Sequence, residues 1–214
     1  MTEKILIADD HGVVRLGLSL MIKKLRPSVI IDEVSNYRSL LDILNKKEFD
    51  LIVLDIKMPD GNFQETLEII KIKHPNIKVL IFSAQDEQLF AVRYLKMGAD
   101  GFLHKLATEE EISKALEKMF DKGSYISNEV KDTMVFNSLN KHVPSQNPIE
   151  VLSNREMEIA EKLIKGLSLK DISNDLNIHI ASVSTYKTRL FKKLDVQTVP
   201  ELIEIFRLYD ISLS

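Results

Sequence analysis

"LIVLDIKMPDG", residues 51–61, decides how this chain is read. Leu51–Leu54 is a short apolar run of the kind found in strands buried on both faces. It stops at a carboxylate, Asp55, and Met58-Pro59-Asp60-Gly61 then reads as a turn. An acid at the point where a buried strand runs out calls for a physical reason.

Working outward, comparable runs stand at Ile5–Ala8, Val29–Val34, Val79–Phe82 and Gly101–Leu103. Helical patterns separate them. Val14, Gly17, Leu18, Met21, Ile22 and Leu25 share one helix face. Further helices are expected over roughly Tyr37–Asn45, Phe63–Lys73, Glu87–Met97 and Glu109–Phe120, the last opened by a Thr108/Glu111 capping box. Strands alternating with helices in this way predict an α/β domain, a parallel sheet covered on both faces.

After Gly123 the pattern changes. Asn128–Leu139 can form a short helix with Val130 and Met134 on one side. "HVPSQNP", residues 142–148, reads as a linker. The remainder carries no strand pattern. Ser153/Glu156 is a capping box before Met157, Ala160, Ile164 and Leu167. Ser168 can cap a short helix bearing Ile172 and Leu176. A third helix runs from about Ala181 to Leu194, and Thr198/Glu201 opens a fourth with Leu202, Ile205, Phe206 and Tyr209. The expected division is 1–122, a connecting 123–149 and 150–214.

The chain has 214 residues, room for one or two domains, and a formal net charge of −3. No global field therefore points at nucleic acid or membrane, and any such binding must come from a local patch. With no cysteine, disulfide and thiolate chemistry are excluded. The opening Met1-Thr2-Glu3-Lys4 leads directly into a strand-like run, without the apolar segment of a signal peptide. No stretch is long and apolar enough to span a bilayer. The expected compartment is the cytoplasm, with no membrane partner.

In an open parallel sheet, functional groups collect beyond the carboxyl ends of the strands. Asp9 and Asp10 follow the first strand, Asp55 ends the third, Ser83 ends the fourth and Lys105 follows the fifth. Taken singly, Asp10 reads as a helix N-cap, Ser83 as a cap and Lys105 as a surface lysine. Taken together, they place three carboxylates, a hydroxyl and an ammonium on one edge. Clustered ionised carboxylates need a cation, and hard oxygen ligands suit magnesium. Metal, lysine and hydroxyl together suit a phosphoryl group, with Asp55 as nucleophile forming an acyl phosphate.

"ADDH", "LIVLDIKMPDG", "FSA" and "GADGFLHK" jointly resemble the receiver domain of two-component response regulators over about residues 3–122. The resemblance implies a five-stranded, doubly wound, flavodoxin-like fold. It implies phosphorylation of Asp55 by a sensor histidine kinase, with Mg2+ (or Mn2+) held by Asp9, Asp10, Asp55 and the Lys57 backbone carbonyl. Ser83 and Phe102 match the switch positions and Lys105 the motif lysine. Leu106 stands where most receivers have proline. Lys57 and Gln85 match positions that tune self-dephosphorylation.

In the second region, Val183, Leu190 and Leu194 share one side of a helix with Tyr186 adjacent. Ser184, Thr185, Thr188, Arg189 and Lys192 lie opposite, and Lys187 sits near the edge of the buried stripe. From Leu176 to Leu194 there is no acid, while Lys187, Arg189, Lys192 and Lys193 all fall there. A short helix, the tight "LNIH" connection and a polar, basic helix follow the helix-turn-helix plan, whose second helix enters the major groove. Residues 152–196 resemble the LuxR-type DNA-binding domain, an all-α four-helix unit. Leu152, Arg155, Glu156, Gly166, Ile172, Val183, Tyr186 and Leu194 fall on motif positions. Ala181-Ser182, Ser184 and Asp195 depart from the common residues. The expected DNA contacts are Lys170, Ser182, Ser184, Thr185, Lys187, Thr188, Arg189 and Lys192. Leu202, Ile203 and Phe206, with Tyr209, match the dimerisation helix, although the same side chains could close the small core.

Together the two regions resemble NarL/FixJ-type response regulators. The implied function is a phosphorylation-controlled transcription factor, dimeric when phosphorylated and reading paired half-sites in double-stranded DNA. It would be no enzyme beyond its own phosphorylation and slow dephosphorylation. One alternative is a constitutive DNA-binding regulator with a vestigial receiver. Another is an aspartate-nucleophile phosphohydrolase, which Lys57 disfavours because it stands where such enzymes carry a second aspartate as general acid.

Overall fold

The computed structural model describes residues 3–139 and 148–208. The chain divides into two compact units, Met1–Met134 and Val135–Ser214. Residues 140–147 of the expected connection 123–149 lie outside the described residues, as does Tyr209.

The first unit contains β1 (Lys4–Ala8), β2 (Ile30–Val34), β3 (Leu51–Leu54), β4 (Lys78–Ser83) and β5 (Gly101–His104). They form one sheet, every neighbouring pair parallel, in the order β2-β1-β3-β4-β5. Helices α1 (Gly12–Leu25), α2 (Tyr37–Leu44), α3 (Phe63–Lys73), α4 (Glu87–Lys96) and α5 (Glu109–Lys122) alternate with them. This is the doubly wound order whose direction reverses between β1 and β3. The central strands read as unbroken apolar runs because both faces are covered. Ile5, Ile7, Leu51, Val53, Leu80, Phe82 and Leu103 pack in one core with Leu18, Ile22, Leu116 and Met119 of α1 and α5. The intervening Leu6, Ile52, Leu54, Ile81 and Phe102 are as deeply buried on the other face.

Two local details differ from the sequence expectation. His11, not Asp10, is the N-cap of α1, and its side chain makes no capping bond. Gly17 is exposed rather than part of the buried stripe, which Leu18 and Ile22 carry. The Thr108/Glu111 capping box forms as expected.

The turn after β3 is held from below. Tyr37, at the start of α2, donates its hydroxyl to Ile56 O at 2.8 Å, and its N–H reaches Pro59 O at 3.1 Å. A Cβ on Gly61 would stand 2.6 Å from Tyr37 Cβ, so only glycine fits there. The positive φ of this turn falls on Asp60 instead. A further helix, α6 (Asn128–Leu139), follows; its Val130 is buried, whereas Met134, expected on the same side, is 39% exposed.

The second unit opens with a 3-10 turn, Pro148–Val151, and continues through α7 (Asn154–Ile164), α8 (Leu169–Asp175), α9 (Ile180–Leu194) and α10 (Val199–Leu208). Ser153/Glu156 and Ser168/Asp171 form reciprocal capping boxes. At α10, Glu201 accepts from Thr198 Oγ1 at 2.9 Å but reaches back to Gln197 N at 2.8 Å. Val183, Leu190 and Leu194 bury one face of α9. Leu202 and Phe206 are fully buried in this unit. That corrects their expected role at a dimer surface: they close the core, and of the expected trio only Ile203 is partly exposed.

Candidate functional site

The polar edge of the first unit is assembled by backbone register. Asp9 N donates to Val34 O at 3.2 Å, Asp55 N to Ala8 O at 2.8 Å, and Lys105 N to Ser83 O at 2.7 Å. Each functional residue is thus the first to leave its strand, tied to the neighbouring strand as it does so. Asp9, Asp55 and Ser83 are 1%, 3% and 1% exposed, although two are ionisable. Asp10 stands at the open side.

Lys105 Nζ lies 2.8 Å from Asp55 Oδ2 and 2.7 Å from Asp9 Oδ2. One ammonium therefore serves two buried carboxylates. Burial pushes the Asp55 carboxyl above its ordinary value, and the nearby Asp9 adds to this; the Lys105 hydrogen bond and charge oppose it without prevailing. Burial alone would depress Lys105, but its bonds to Asp55 and Asp9 outweigh burial and raise it. Asp9 Oδ2 meets that ammonium at 2.7 Å and has no second partner among the described residues. A buried carboxylate oxygen in that state suits a cation.

Asp9, Asp10, His11 and Asp55 each offer one ligand atom, all within 4.8 Å of one another. This donor set fits a hard divalent ion through its carboxylates. His11 is an addition that the sequence reading did not assign. Its Nδ1 lies 2.7 Å from Asp10 Oδ1 and 3.1 Å from Asp9 Oδ1. Its place directly after two acids was the available signal. Arg15, also not anticipated, donates to Asp9 O at 2.8 Å.

Lys57 lies in the turn, its N–H 3.3 Å from Asp55 Oδ1. Ser83 makes no hydrogen bond to Asp55 among the described residues; its Oγ accepts from Gln85 N at 3.0 Å. Phe102 is buried and stacks on Tyr94 at 6.2 Å. This edge can hold a cation, a phosphoryl group and a carboxylate nucleophile together.

In the second unit, α8 and α9 are joined by Leu176–His179, with Asn177 in the left-handed region at φ 49°. Ser184, Thr185, Thr188, Arg189 and Lys192 are exposed on α9, as is Lys170 on α8; Ser182 and Lys187 are half-buried. Thr185 and Thr188 donate to Ala181 O and Ser184 O at 2.9 and 3.0 Å, which leaves their oxygens to accept. Lys187 and Arg189 lie over the rings of Phe191 and Tyr186. Lys193 departs from the basic group: its ammonium sits 2.7 Å from the buried Glu156 carboxylate and 3.1 Å from Val151 O. It ties α9 to the start of α7. Asp195 caps α9 in the left-handed conformation at φ 53°, where glycine is most at ease.

Comparison with known proteins agrees with both units. Residues 5–117 match the response regulator receiver domain, and residues 150–206 match the bacterial regulatory proteins of the luxR family. The Fimbriae Z protein of Escherichia coli K12 is 30% identical over 207 residues, 97% of each chain. The oxygen regulatory protein NreC of Staphylococcus haemolyticus is 30% identical over 94% of this chain and 95% of its own. Among solved structures, RcsB of Salmonella enterica serovar Typhimurium, bound to a promoter with the phosphomimetic BeF3-, has a TM-score of 0.62 at 18% identity, covering 96% of this chain and 98% of that one. At that identity the likeness concerns the fold.

Proposed function

This chain belongs to the NarL/FixJ-type response regulators, a receiver joined to a LuxR-type DNA-binding domain, and from that premise we propose that Asp55 is its phosphoacceptor. The observation that carries this is the environment of Asp55: a carboxylate 3% exposed at the end of β3, sharing one ammonium with Asp9. The donor is a phosphohistidine of a sensor histidine kinase. An Asp55 oxygen bonds to phosphorus as the N–P bond breaks, giving an acyl phosphate and a free imidazole.

Asp9, Asp10, Asp55 and the Lys57 carbonyl would hold Mg2+, or Mn2+ in its place. Bound there, the ion would neutralise charge on the phosphoryl oxygens. Lys105 turns from the carboxylates to a phosphoryl oxygen, and the Ser83 hydroxyl donates to another. Ser83 then tightens toward the site and Phe102 follows, which biases an existing equilibrium of the receiver. The functional division is 1–122 for phosphorylation, 123–149 for connection and 150–214 for DNA. Lys170, Ser182, Ser184, Thr185, Lys187, Thr188, Arg189 and Lys192 face the duplex, with protomers paired on half-sites about one helical turn apart or a multiple of that. Self-catalysis is confined to gaining and slowly losing the phosphoryl group.

The test is intact mass after incubation with a small phosphodonor and Mg2+. One phosphoryl group should be gained by the natural chain, and by neither Asp55→Ala nor the chain deprived of metal. No adduct, where a known receiver labels in parallel, overturns the assignment and favours DNA binding independent of phosphorylation.

A further inference from the structure

We propose that α9 recognises thymine: Ile180, Ala181, Thr185 and Thr188 present methyl groups that seat on the C5-methyl groups of thymines in the major groove. This rests on the reading of α9 as the DNA-facing helix of the luxR-family unit. From Ile180 to Thr188 the exposed positions are Ile180, Ala181, Ser184, Thr185 and Thr188. Ala181, Ser184, Thr185 and Thr188 fall at i, i+3, i+4 and i+7, so they form one face, with Ile180 on its flank. Ile180 is a large apolar side chain left 51% exposed at the first residue of the helix. The residues at the N-terminal end of such a helix are the ones that meet base edges.

Bidentate donors are missing from this face. Guanine is read by two hydrogen bonds from Arg or Lys, and adenine by two from Asn or Gln. None of those four side chains stands at the exposed positions between 180 and 188. Lys187 is half-buried with its ammonium over the Phe191 ring at 5.1 Å, and Arg189 lies over Tyr186 at 6.0 Å. Both flank the face and suit phosphates.

The hydroxyls narrow the choice further. Guanine shows only acceptors, O6 and N7, in the major groove. The Thr185 and Thr188 hydroxyls have already given their protons, to Ala181 O at 2.9 Å and Ser184 O at 3.0 Å, so neither can donate to guanine. The same bonds fix both side chains with the oxygen turned back on the helix and the methyl left free. Donors remain on Ser182, Ser184 and His179, the N-cap without a capping bond, and each offers a base a single bond. Thymine alone among the bases carries a methyl in this groove, and alanine and threonine methyls read it by apolar contact. Removing one such methyl from water is worth about 4-fold in affinity.

Duplexes are selected from a random library by the full chain, with Mg2+ and the small phosphodonor present, and the affinity of the preferred duplex is measured over a range of salt. Selected half-sites should share thymines at fixed positions. Deoxyuridine at each of them in turn removes the methyl and nothing else. It should weaken binding by about 4-fold and leave the salt slope unchanged, because phosphate contacts are untouched. Thr185→Ser keeps the hydroxyl and removes the methyl. It should weaken binding by a similar factor, and one of the deoxyuridine duplexes should be indifferent to it. Half-sites defined by guanine overturn the proposal. So do deoxyuridine duplexes bound as tightly as the thymine duplex, since the thymines would then serve only the shape of the DNA. A selection that enriches no sequence overturns the reading of α9 as the DNA-facing helix, and this proposal with it.

Discussion

Replacing Lys105 by methionine keeps the length of the stem and removes the ammonium. Asp9 and Asp55, at 1% and 3% exposure, would then face each other with no positive charge between them. Breaking a buried ion pair by deleting one partner costs about 3–5 kcal/mol. Lys105 keeps 15% of its side chain exposed, so water can partly replace it, and the lower end, about 3 kcal/mol, is expected at neutral pH. The sign of the pH dependence follows from Asp55. Its folded-state pKa is already above the ordinary value, and loss of the ammonium moves it further up. A group with a raised folded pKa supports folding below its unfolded value, about 3.9, and that support is lost as pH rises through the folded pKa. The deficit of Lys105→Met is therefore largest at neutral pH and closes as the solution is acidified into the carboxylate range.

Magnesium should act in the same direction as acid. A ligand at about 100 times its Kd stabilises by about 2.7 kcal/mol, and in the variant no ammonium competes with the ion for Asp9 Oδ2. The assay is amide hydrogen exchange of β1, β3 and β4, read by mass spectrometry. It reports the first unit alone in a chain whose two units need not unfold together. A loss below about 1 kcal/mol at neutral pH would mean that the ammonium is worth no more than one in an exposed pair, against the buried role given to it here. An equal loss in acid would refute the pH dependence drawn from Asp55.

Two further outcomes are expected in the second unit. Asp195→Gly should raise its thermal stability by about 0.5 kcal/mol, because the left-handed cap costs an L-residue about 1 kcal/mol and glycine returns part of that as unfolded-chain entropy; an unchanged or lower midpoint argues against strain at this cap. Lys192→Ala should lower the magnitude of the salt slope of DNA binding by about 1, whereas Lys193→Ala should leave the slope unchanged and destabilise the unit, because its charge is committed to Glu156. Equal slopes for the two variants would contradict the assignment of these lysines.

Much of this was legible in the sequence, for a physical reason. A strand buried on both faces must be apolar throughout, so a polar residue marks where it ends, and the sheet aligns those ends. That is why Asp9, Asp55, Ser83 and Lys105 could be placed on one edge from the apolar runs that end at Ala8, Leu54, Phe82 and Leu103. What could not be read depends on contacts distant in sequence. Lys192 and Lys193 are neighbours of the same type and both are exposed, yet the second meets a carboxylate 37 positions away. Leu202 and Phe206 show the spacing of an apolar helix face, and that spacing is the same whether the face meets its own core or a second chain. Tyr94 fits the apolar face of α4 by position, and nothing local reveals that its hydroxyl meets Gln85.

The arrangement around Lys105 also bears on why a charge change at this edge would reach the rest of the receiver. Two buried carboxylates share one ammonium and a third stands at the open side, so negative charge outnumbers positive at this edge. Lys105 cannot meet a phosphoryl oxygen on Asp55 and keep both present distances, 2.7 and 2.8 Å. Its backbone, however, is fixed to β4 through Ser83 O. The side chain would have to swing while the strand end is held. Phe102 lies on β5 and Gln85 in the turn that begins at Ser83, and both end on Tyr94. Tyr94 thus touches both a residue of β5 and a residue of the turn that follows Ser83.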